Sequence, residues 1–172
     1  ALIVSNKKDA GVLDIARDRG IPFLVTDRTS FYKTEDLLFT LRAHEIDLVV
    51  LAGFLWLIPN DLIEGMKGHI VNIHPSLLPK FGGKGMYGHY VHKAVIEAGE
   101  RESGITIHWV NQRYDEGQIV FQASCPVAPS DTPDTLARKV QVLEHRYYPA
   151  VIRALLEPVW AESSSSKTND PA

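Results

Sequence analysis

The feature that most limits the fold is a short, almost wholly apolar segment, residues 46–52, which reads Ile-Asp-Leu-Val-Val-Leu-Ala. A strand of this kind is typical of a parallel sheet that helices cover on both faces. Two further short apolar segments, residues 1–6 and 22–25, precede it, and helix-period patterns lie between them at residues 9–19 and 34–44. This repeated strand–helix order predicts an α/β fold with a Rossmann-like, mostly parallel sheet flanked by helices.

The C-terminal half predicts a different edge for the sheet. Residues 104–111 alternate apolar and polar side chains, residues 118–125 form a second strand pattern, and residues 113–117 make a turn between them. This pattern predicts an antiparallel hairpin that closes the sheet. A long apolar stripe that begins after Pro133 predicts a final helix, which Pro149 is expected to kink or restart. We therefore expect a single domain over residues 1–160 and a disordered tail over residues 161–172.

Composition excludes several classes of protein. A chain of 172 residues is long enough to bury one real core. The net charge of -3 does not provide the basic surface that nucleic-acid binding requires. Cys125 is the single cysteine, so a disulfide framework is excluded. No apolar run approaches the roughly 20 residues of a membrane span. We expect a cytoplasmic protein that binds neither nucleic acid nor a membrane.

The most informative polar side chains lie at the end of a strand, in the segment Ile70–Pro79, which reads IVNIHPSLLP. Asn72 and His74 are two residues apart and therefore share one face of the strand, while Ile73 faces the other way. In an open α/β sheet, ligands bind at the carboxyl ends of the strands. A satisfied polar pair at a strand end is the simpler interpretation of Asn-x-His alone, and the longer string is far more specific.

Four other features each allow a structural and a functional interpretation. The glycine-rich segment 82–88 is either a mobile surface loop or a lid over a substrate. His89 and His92 share a helical face, which invites a zinc hypothesis, although the Glu and Cys partners of common zinc motifs are missing. Asp115 is either a turn-former or a functional carboxylate. Glu144 is either part of a surface ion pair or a ligand-binding group.

Several blocks together make the chain resemble the folate-dependent formyltransferases, in particular those that act in purine synthesis. The segment Asn72–Pro79 carries the strongest resemblance, and it extends from about residue 1 to residue 158. The other blocks that contribute are residues 51–54 (LAGF), 104–108 (GITIH), 115–119 (DEGQI) and 144–145 (EH).

The resemblance implies a role for each matching residue. Asn72, His74 and Asp115 would form the catalytic group. Glu144 would bind the ribose hydroxyls of the acceptor substrate, and His92 would lie near that acceptor. The pocket for the pterin ring of the folate would be formed by the side chains or backbone groups of Leu51, Leu55, Trp56, Leu57, Ile58, Ile63, Asn111, Gln112, Arg113 and Tyr114.

The implied reaction transfers a formyl group from the co-substrate 10-formyltetrahydrofolate to the amine of glycinamide ribonucleotide, without a metal. Attack by the amine creates an oxyanion, which requires preorganised donors. We expect Asn72 and a protonated His74 to be those donors. Asp115 is expected to raise the pKa of His74 by charge attraction and to help to take the amine proton.

The resemblance also bears on the start of the chain and leaves alternatives open. In the resembled family, a βα unit with a phosphate-binding turn precedes the position of Ala1, so we expect a unit of roughly 30 residues to be missing. Hydrolysis of formyltetrahydrofolate, another formyltransferase reaction on the same fold, and an inactive fragment that still binds folate remain alternatives.

Overall fold

The computed structural model describes the backbone of residues 1–165 and the side chains of residues 1–157. Strands and helices alternate along most of it, as the apolar periodicity predicts. The elements are β1 (Ile3–Ser5), α1 (Gly11–Asp18), β2 (Phe23–Val25), α2 (Arg28–Tyr32), α3 (Thr34–Ala43), β3 (Val49–Leu51), α4 (Asn60–Gly65), β4 (Ile70–His74), α5 (His89–Glu97), β5 (Glu102–Trp109), β6 (Ile119–Pro126) and α6 (Pro133–Ser165).

The strands confirm a mixed α/β fold with parallel and antiparallel parts. β1 pairs with β2 in parallel, and a four-stranded sheet has the order β3-β4-β5-β6. Within that sheet β3 and β4 are parallel, whereas β4–β5 and β5–β6 are both antiparallel. The antiparallel part is therefore larger than the predicted hairpin, because β5 also pairs with the strand that carries Asn72 and His74.

Three local features differ from the sequence-based expectations or extend beyond them. The short helix α2 follows β2 and is not among the helices predicted from the sequence; the Asp27 side chain caps its first turn by accepting from the backbone N–H of Ser30 at 2.8 Å. Helix α6 is continuous across Pro149. The backbone of α6 reaches Ser165, and the rest of the predicted tail lies outside the described residues.

Three groups of buried apolar side chains hold the layers together. One lies under helices α2, α3 and α4 and includes Ile58 and Ile70. A second joins α5, β5 and α6 through Val95, Ile105 and Leu136. The third, which we call the β4–α6 cluster, contains Val71, Ile107 and Tyr148. Burial of such side chains contributes on the order of 2 kcal/mol each, so the packing of α6 against β4 and β5 is strongly favoured.

This packing brings four structural features to one edge of the sheet. The carboxyl ends of β3 and β4, the turn between β5 and β6, the glycine-rich segment and one face of α6 all contribute residues to a single cleft. None of the described helices combines the length and the apolar character needed to span a membrane.

Candidate active site

The polar centre of the cleft is built by pairing between β4 and β5. Asn72 lies opposite His108 in the antiparallel register, and the Asn72 Nδ2 and His108 Nε2 atoms are 3.2 Å apart. His108 Nδ1 donates to the carbonyl oxygen of Trp109 at 2.9 Å, which leaves Nε2 of the neutral ring to accept from Asn72. The sheet register therefore fixes the orientation of the Asn72 amide.

Asp115 reaches this centre from the turn between β5 and β6. Its backbone has a φ of 57°, a left-handed conformation that Asp tolerates better than most residues. Its Oδ2 atom accepts from the backbone N–H of Gly83 at 2.9 Å and lies 3.4 Å from His74 Nδ1. Its Oδ1 atom lies 3.6 Å from His108 Nε2. Asn72, His74 and Asp115 therefore lie close together around His108, the arrangement that the family resemblance implies.

The protonation of His74 differs from the expectation. The ring is 4 % exposed, and its Nε2 atom donates to the carbonyl oxygen of Phe81 at 2.8 Å. Burial lowers the pKa of His74 below its ordinary value, and this effect outweighs the opposite influence of Asp115 and of the Phe81 carbonyl. The expectation of a protonated His74 in the free protein is therefore wrong. The neutral ring presents the Nδ1 lone pair toward Asp115.

For the pKa of Asp115, the neighbouring groups outweigh the effect of burial. Burial alone would raise the pKa of its carboxyl group. The His108 and His74 rings and the Gly83 amide together outweigh burial and hold the pKa below its usual range. Asp115 is therefore ionised at neutral pH beside a neutral His74, and this pair is ready to accept one proton.

The buried side chain of Thr106 holds the loop after β4 in place through several hydrogen bonds. This side chain is fully buried and lies opposite His74 in the β4–β5 register. Its hydroxyl donates to the carbonyl oxygen of Ser76 at 2.7 Å and accepts from the backbone N–H of Leu78 at 2.9 Å. Gln122 donates to the same hydroxyl at 2.8 Å. The Pro-rich loop is thus held to β5 by side-chain bonds as well as by packing.

The cleft beside these residues has a volume of about 540 Å³, which suits a small-molecule ligand. One wall is the loop from Leu51 to Ile58, and Phe31, Phe54 and Trp56 support it with edge-to-face ring contacts. The predicted folate-pocket residues that line the cleft are Leu51, Leu55, Trp56, Leu57, Ile58, Asn111, Arg113 and Tyr114.

Three predicted site residues do not line the cleft. Ile63 packs into the apolar group beneath α2, α3 and α4. Gln112 is exposed, and its amide donates to Asn60. His92 is 5 % exposed on α5, and its Nδ1 atom has no hydrogen-bond partner among the described residues. Direct ligand contacts from these side chains, including the expected position of His92 near an acceptor, find no support in this geometry.

Helix α6 and the glycine-rich segment complete the cleft. Glu144 lines it and is half-buried, and burial raises the pKa of this carboxyl group despite the opposite influence of His145. The segment from Gly83 to Gly88 also lines the cleft. Within the described residues, no three His, Cys, Asp or Glu side chains gather closely enough to hold a metal ion.

Sequence reasoning missed two cleft residues. His108 is not among the predicted site residues, yet it is 2 % exposed and contacts Asn72. The strand alternation that puts His108 and Thr106 on one face of β5 was the available signal, but only the register identifies Asn72 as a partner. Tyr148 also lines the cleft, from α6, and it is not among the predicted site residues.

The fold and the cleft define the class of the protein: an α/β protein with a ligand cleft at the carboxyl ends of its strands and an acid–base group within it. A family model described as "Formyl transferase" matches residues 1–152. The chain therefore belongs to the formyl transferase family.

Relatives from plants and bacteria give the extent of the similarity. The chloroplastic phosphoribosylglycinamide formyltransferase of Arabidopsis thaliana is 47% identical over 161 residues, which cover 91% of this chain and 55% of that protein. The phosphoribosylglycinamide formyltransferase of Bacillus subtilis is 36% identical, with coverage of 91% and 80%. The chain spans about half the length of its plant relatives.

Solved structures have the same fold. Glycinamide ribonucleotide transformylase 1 from Symbiobacterium toebii matches with a TM-score of 0.83 and 35% identity, and the match covers 92% of this chain and 74% of that one. Phosphoribosylglycinamide formyltransferase from Anaplasma phagocytophilum matches with a TM-score of 0.82 and 36% identity, and the match covers 91% and 74%.

Proposed function

We propose that this chain transfers a formyl group from 10-formyltetrahydrofolate to the primary amine of glycinamide ribonucleotide, a step in de novo purine synthesis. Membership of the formyl transferase family and relatives named for this reaction support the proposal. The observation that carries it is the convergence of Asn72, His74 and Asp115 at one end of a cleft of about 540 Å³.

The reaction requires a stabilised oxyanion and a proton transfer. The amine nitrogen attacks the formyl carbon, a new C–N bond forms, and the carbonyl electrons move to oxygen. The bond between that carbon and the folate nitrogen then breaks, and the folate nitrogen receives a proton. A preorganised donor beside the developing oxyanion lowers the barrier most, because that charge exists only during the reaction.

Asn72 is suited to donate to the oxyanion. Its amide nitrogen has two hydrogens, and one of them is held by His108 Nε2 at 3.2 Å. The second hydrogen remains for the substrate oxygen. Because His108 fixes the amide, little reorientation is needed when the charge appears.

His74 and Asp115 are suited to move the proton. In the free cleft His74 is neutral and its Nδ1 atom faces the Asp115 carboxylate at 3.4 Å. The proton that the attacking amine loses enters this pair and turns His74 into an imidazolium, which Asp115 stabilises by charge attraction. The same proton then passes to the folate nitrogen as the tetrahedral intermediate collapses. The charged His74 thus arises during the reaction.

Two groups of cleft-lining residues suit the two substrates. The apolar wall formed by Leu55, Leu57 and Ile58 fits the flat pterin ring, and Asn111, Arg113 and Tyr114 also line the cleft. Glu144, half-buried on α6, fits the ribose hydroxyls of the acceptor as their hydrogen-bond acceptor. The proposal requires no metal ion, nucleic acid or membrane, and cytoplasmic location stays a prediction.

A product analysis tests the proposal. The purified chain is incubated with 10-formyltetrahydrofolate, with and without glycinamide ribonucleotide, and mass spectrometry follows formylated nucleotide and free formate. We expect formylated nucleotide in a 1:1 ratio to tetrahydrofolate, and only in the presence of the acceptor. The Asn72→Ala variant should lose most of this activity. Release of formate at the same rate without acceptor would instead identify a hydrolase, and absence of both products would overturn the proposal.

A further inference from the structure

Tyr148 links helix α6 to the ends of strands β3 and β4, and all three elements contribute residues to the cleft. Its hydroxyl donates to the carbonyl oxygen of Leu51 at 2.8 Å, with the carbonyl oxygen of Val71 at 3.2 Å as a second acceptor. The two carbonyl groups belong to the last residue of β3 and to the residue directly before Asn72 in β4. One side chain on α6 therefore bonds two adjacent strands where both reach the cleft.

The surroundings of Tyr148 make this contact rigid. The side chain is 8 % exposed, and its ring packs with Val71 and Ile107 in the β4–α6 cluster. Burial raises the pKa of the phenol, so the hydroxyl keeps its proton and remains a donor. A buried aromatic ring with two rotatable bonds loses little further freedom when it makes such a bond.

The position of Tyr148 on α6 relates this bond to the substrate groups. Glu144 and His145 precede it by four and three residues, and all three lie on one helical face that lines the cleft. Leu51 begins the loop wall at residues 51–58, and Val71 adjoins Asn72. The hydroxyl therefore ties the helix that carries Glu144 to the start of the loop wall and to the residue before Asn72.

We propose that Tyr148 is a positioning residue that holds the acceptor end of the cleft in register with the formyl donor, an inference that rests on the proposed function. It acts through the backbone of Leu51 and Val71. Transfer between two bound substrates requires their reacting atoms to lie within about 3.5 Å, and a displacement of 1 Å can cost on the order of 100-fold in rate. Loss of the Tyr148 hydroxyl, which bonds both the Leu51 and the Val71 carbonyl groups, should therefore lower kcat.

The adjacent residue provides a matched control. Tyr147 stacks against Phe121 with ring centroids 5.1 Å apart, and Arg146 lies over its ring. It does not line the cleft, and its hydroxyl makes no hydrogen bond to any described residue. Tyr147→Phe and Tyr148→Phe thus remove the same atom from neighbouring positions, and only the second removes the bond between the walls. Both variants keep the ring that the apolar clusters require.

The test compares kcat, both KM values and backbone amide hydrogen exchange in the two variants. For Tyr148→Phe we expect kcat to fall by about 10–100-fold, KM for the folate to change by less than about threefold, and exchange to accelerate at residues 52–58 and 72–74. For Tyr147→Phe we expect unchanged kinetics and exchange. A lower melting temperature of Tyr148→Phe with unchanged kcat would indicate a merely structural role and overturn the inference.

The exchange measurement also separates this inference from the proposed function. If the unsubstituted chain transfers no formyl group, the proposed function fails, while exchange and tetrahydrofolate affinity still report on the cleft walls. Faster exchange at residues 52–58 and 72–74 in Tyr148→Phe alone, with tetrahydrofolate affinity changed by less than about threefold, would support the positioning role. The same exchange in both variants would overturn it.

Discussion

Replacement of Asp115 by Asn tests the charge on which the proton transfer depends. The Asn side chain has the same shape, and its oxygen can still accept from Gly83. The carboxylate oxygen lies 3.4 Å from His74 Nδ1, and a full charge pair at this distance is worth about 5 kcal/mol at an effective dielectric constant of about 20. In the proposed mechanism, His74 carries that charge only after it accepts the amine proton. The attraction therefore stabilises the transition state more than the ground state.

We expect Asp115→Asn to lower kcat by about 10²–10⁴-fold, since proton transfer contributes in that range and a tenfold change in rate corresponds to 1.36 kcal/mol. KM for the folate should change little. Steady-state and single-turnover assays measure both values. Glu116→Gln is the matched control, because it removes a charge from the same turn at an exposed carboxylate that pairs with Arg113 at 3.1 Å. A kcat for Asp115→Asn within threefold of that control would refute the reasoning.

Three further predictions concern proton affinity and packing. Burial lowers the pKa of His74, so kcat/KM should fall only when the pH drops below about 6.5 and passes through that lowered pKa. Asp115→Asn should shift this acidic limb of the pH–rate profile to still lower pH, which pH–rate profiles of both proteins will measure. Thr106→Val leaves buried backbone groups unpaired and should reduce the free energy of unfolding in urea by about 2–4 kcal/mol, whereas Thr106→Ser should recover most of it. Gly117→Ala would force a Cβ atom onto a backbone carbonyl oxygen of β5 and should abolish soluble folding, while Gly11→Ala, which meets open space, should keep or slightly raise the melting temperature.

Much of the site could be predicted because it depends on local rules. The two-residue spacing of Asn72 and His74 in an apolar strand places both on one face, and a strand end is where α/β sheets bind ligands. The resemblance to a known family supplied Asp115, whose place in a turn has a simpler explanation on its own. The short helix α2 was missed because its five residues are too few for a clear apolar period.

The rest depends on tertiary contacts that periodicity does not encode. His108 joins the site because the β4–β5 register puts it opposite Asn72. The pKa of His74 falls because its burial outweighs the nearby carboxylate, and neither distance nor burial can be read from the sequence. Ile63 packs into the apolar group beneath α2, α3 and α4, and His92 is buried on α5, because the orientation of a helix about its own axis is set by its neighbours.

The bond from Gly83 to Asp115 makes the glycine-rich segment an electrostatic component of the site. The Oδ2 atom that accepts this bond is also the carboxylate oxygen 3.4 Å from His74. The Gly83 N–H helps to hold the pKa of Asp115 down, so any displacement that breaks the bond makes the carboxylate more basic. Proton affinity in the cleft is therefore thermodynamically linked to the position of residues 83–88, and a ligand that displaces them is expected to change the pKa of Asp115 without touching Asp115 or His74.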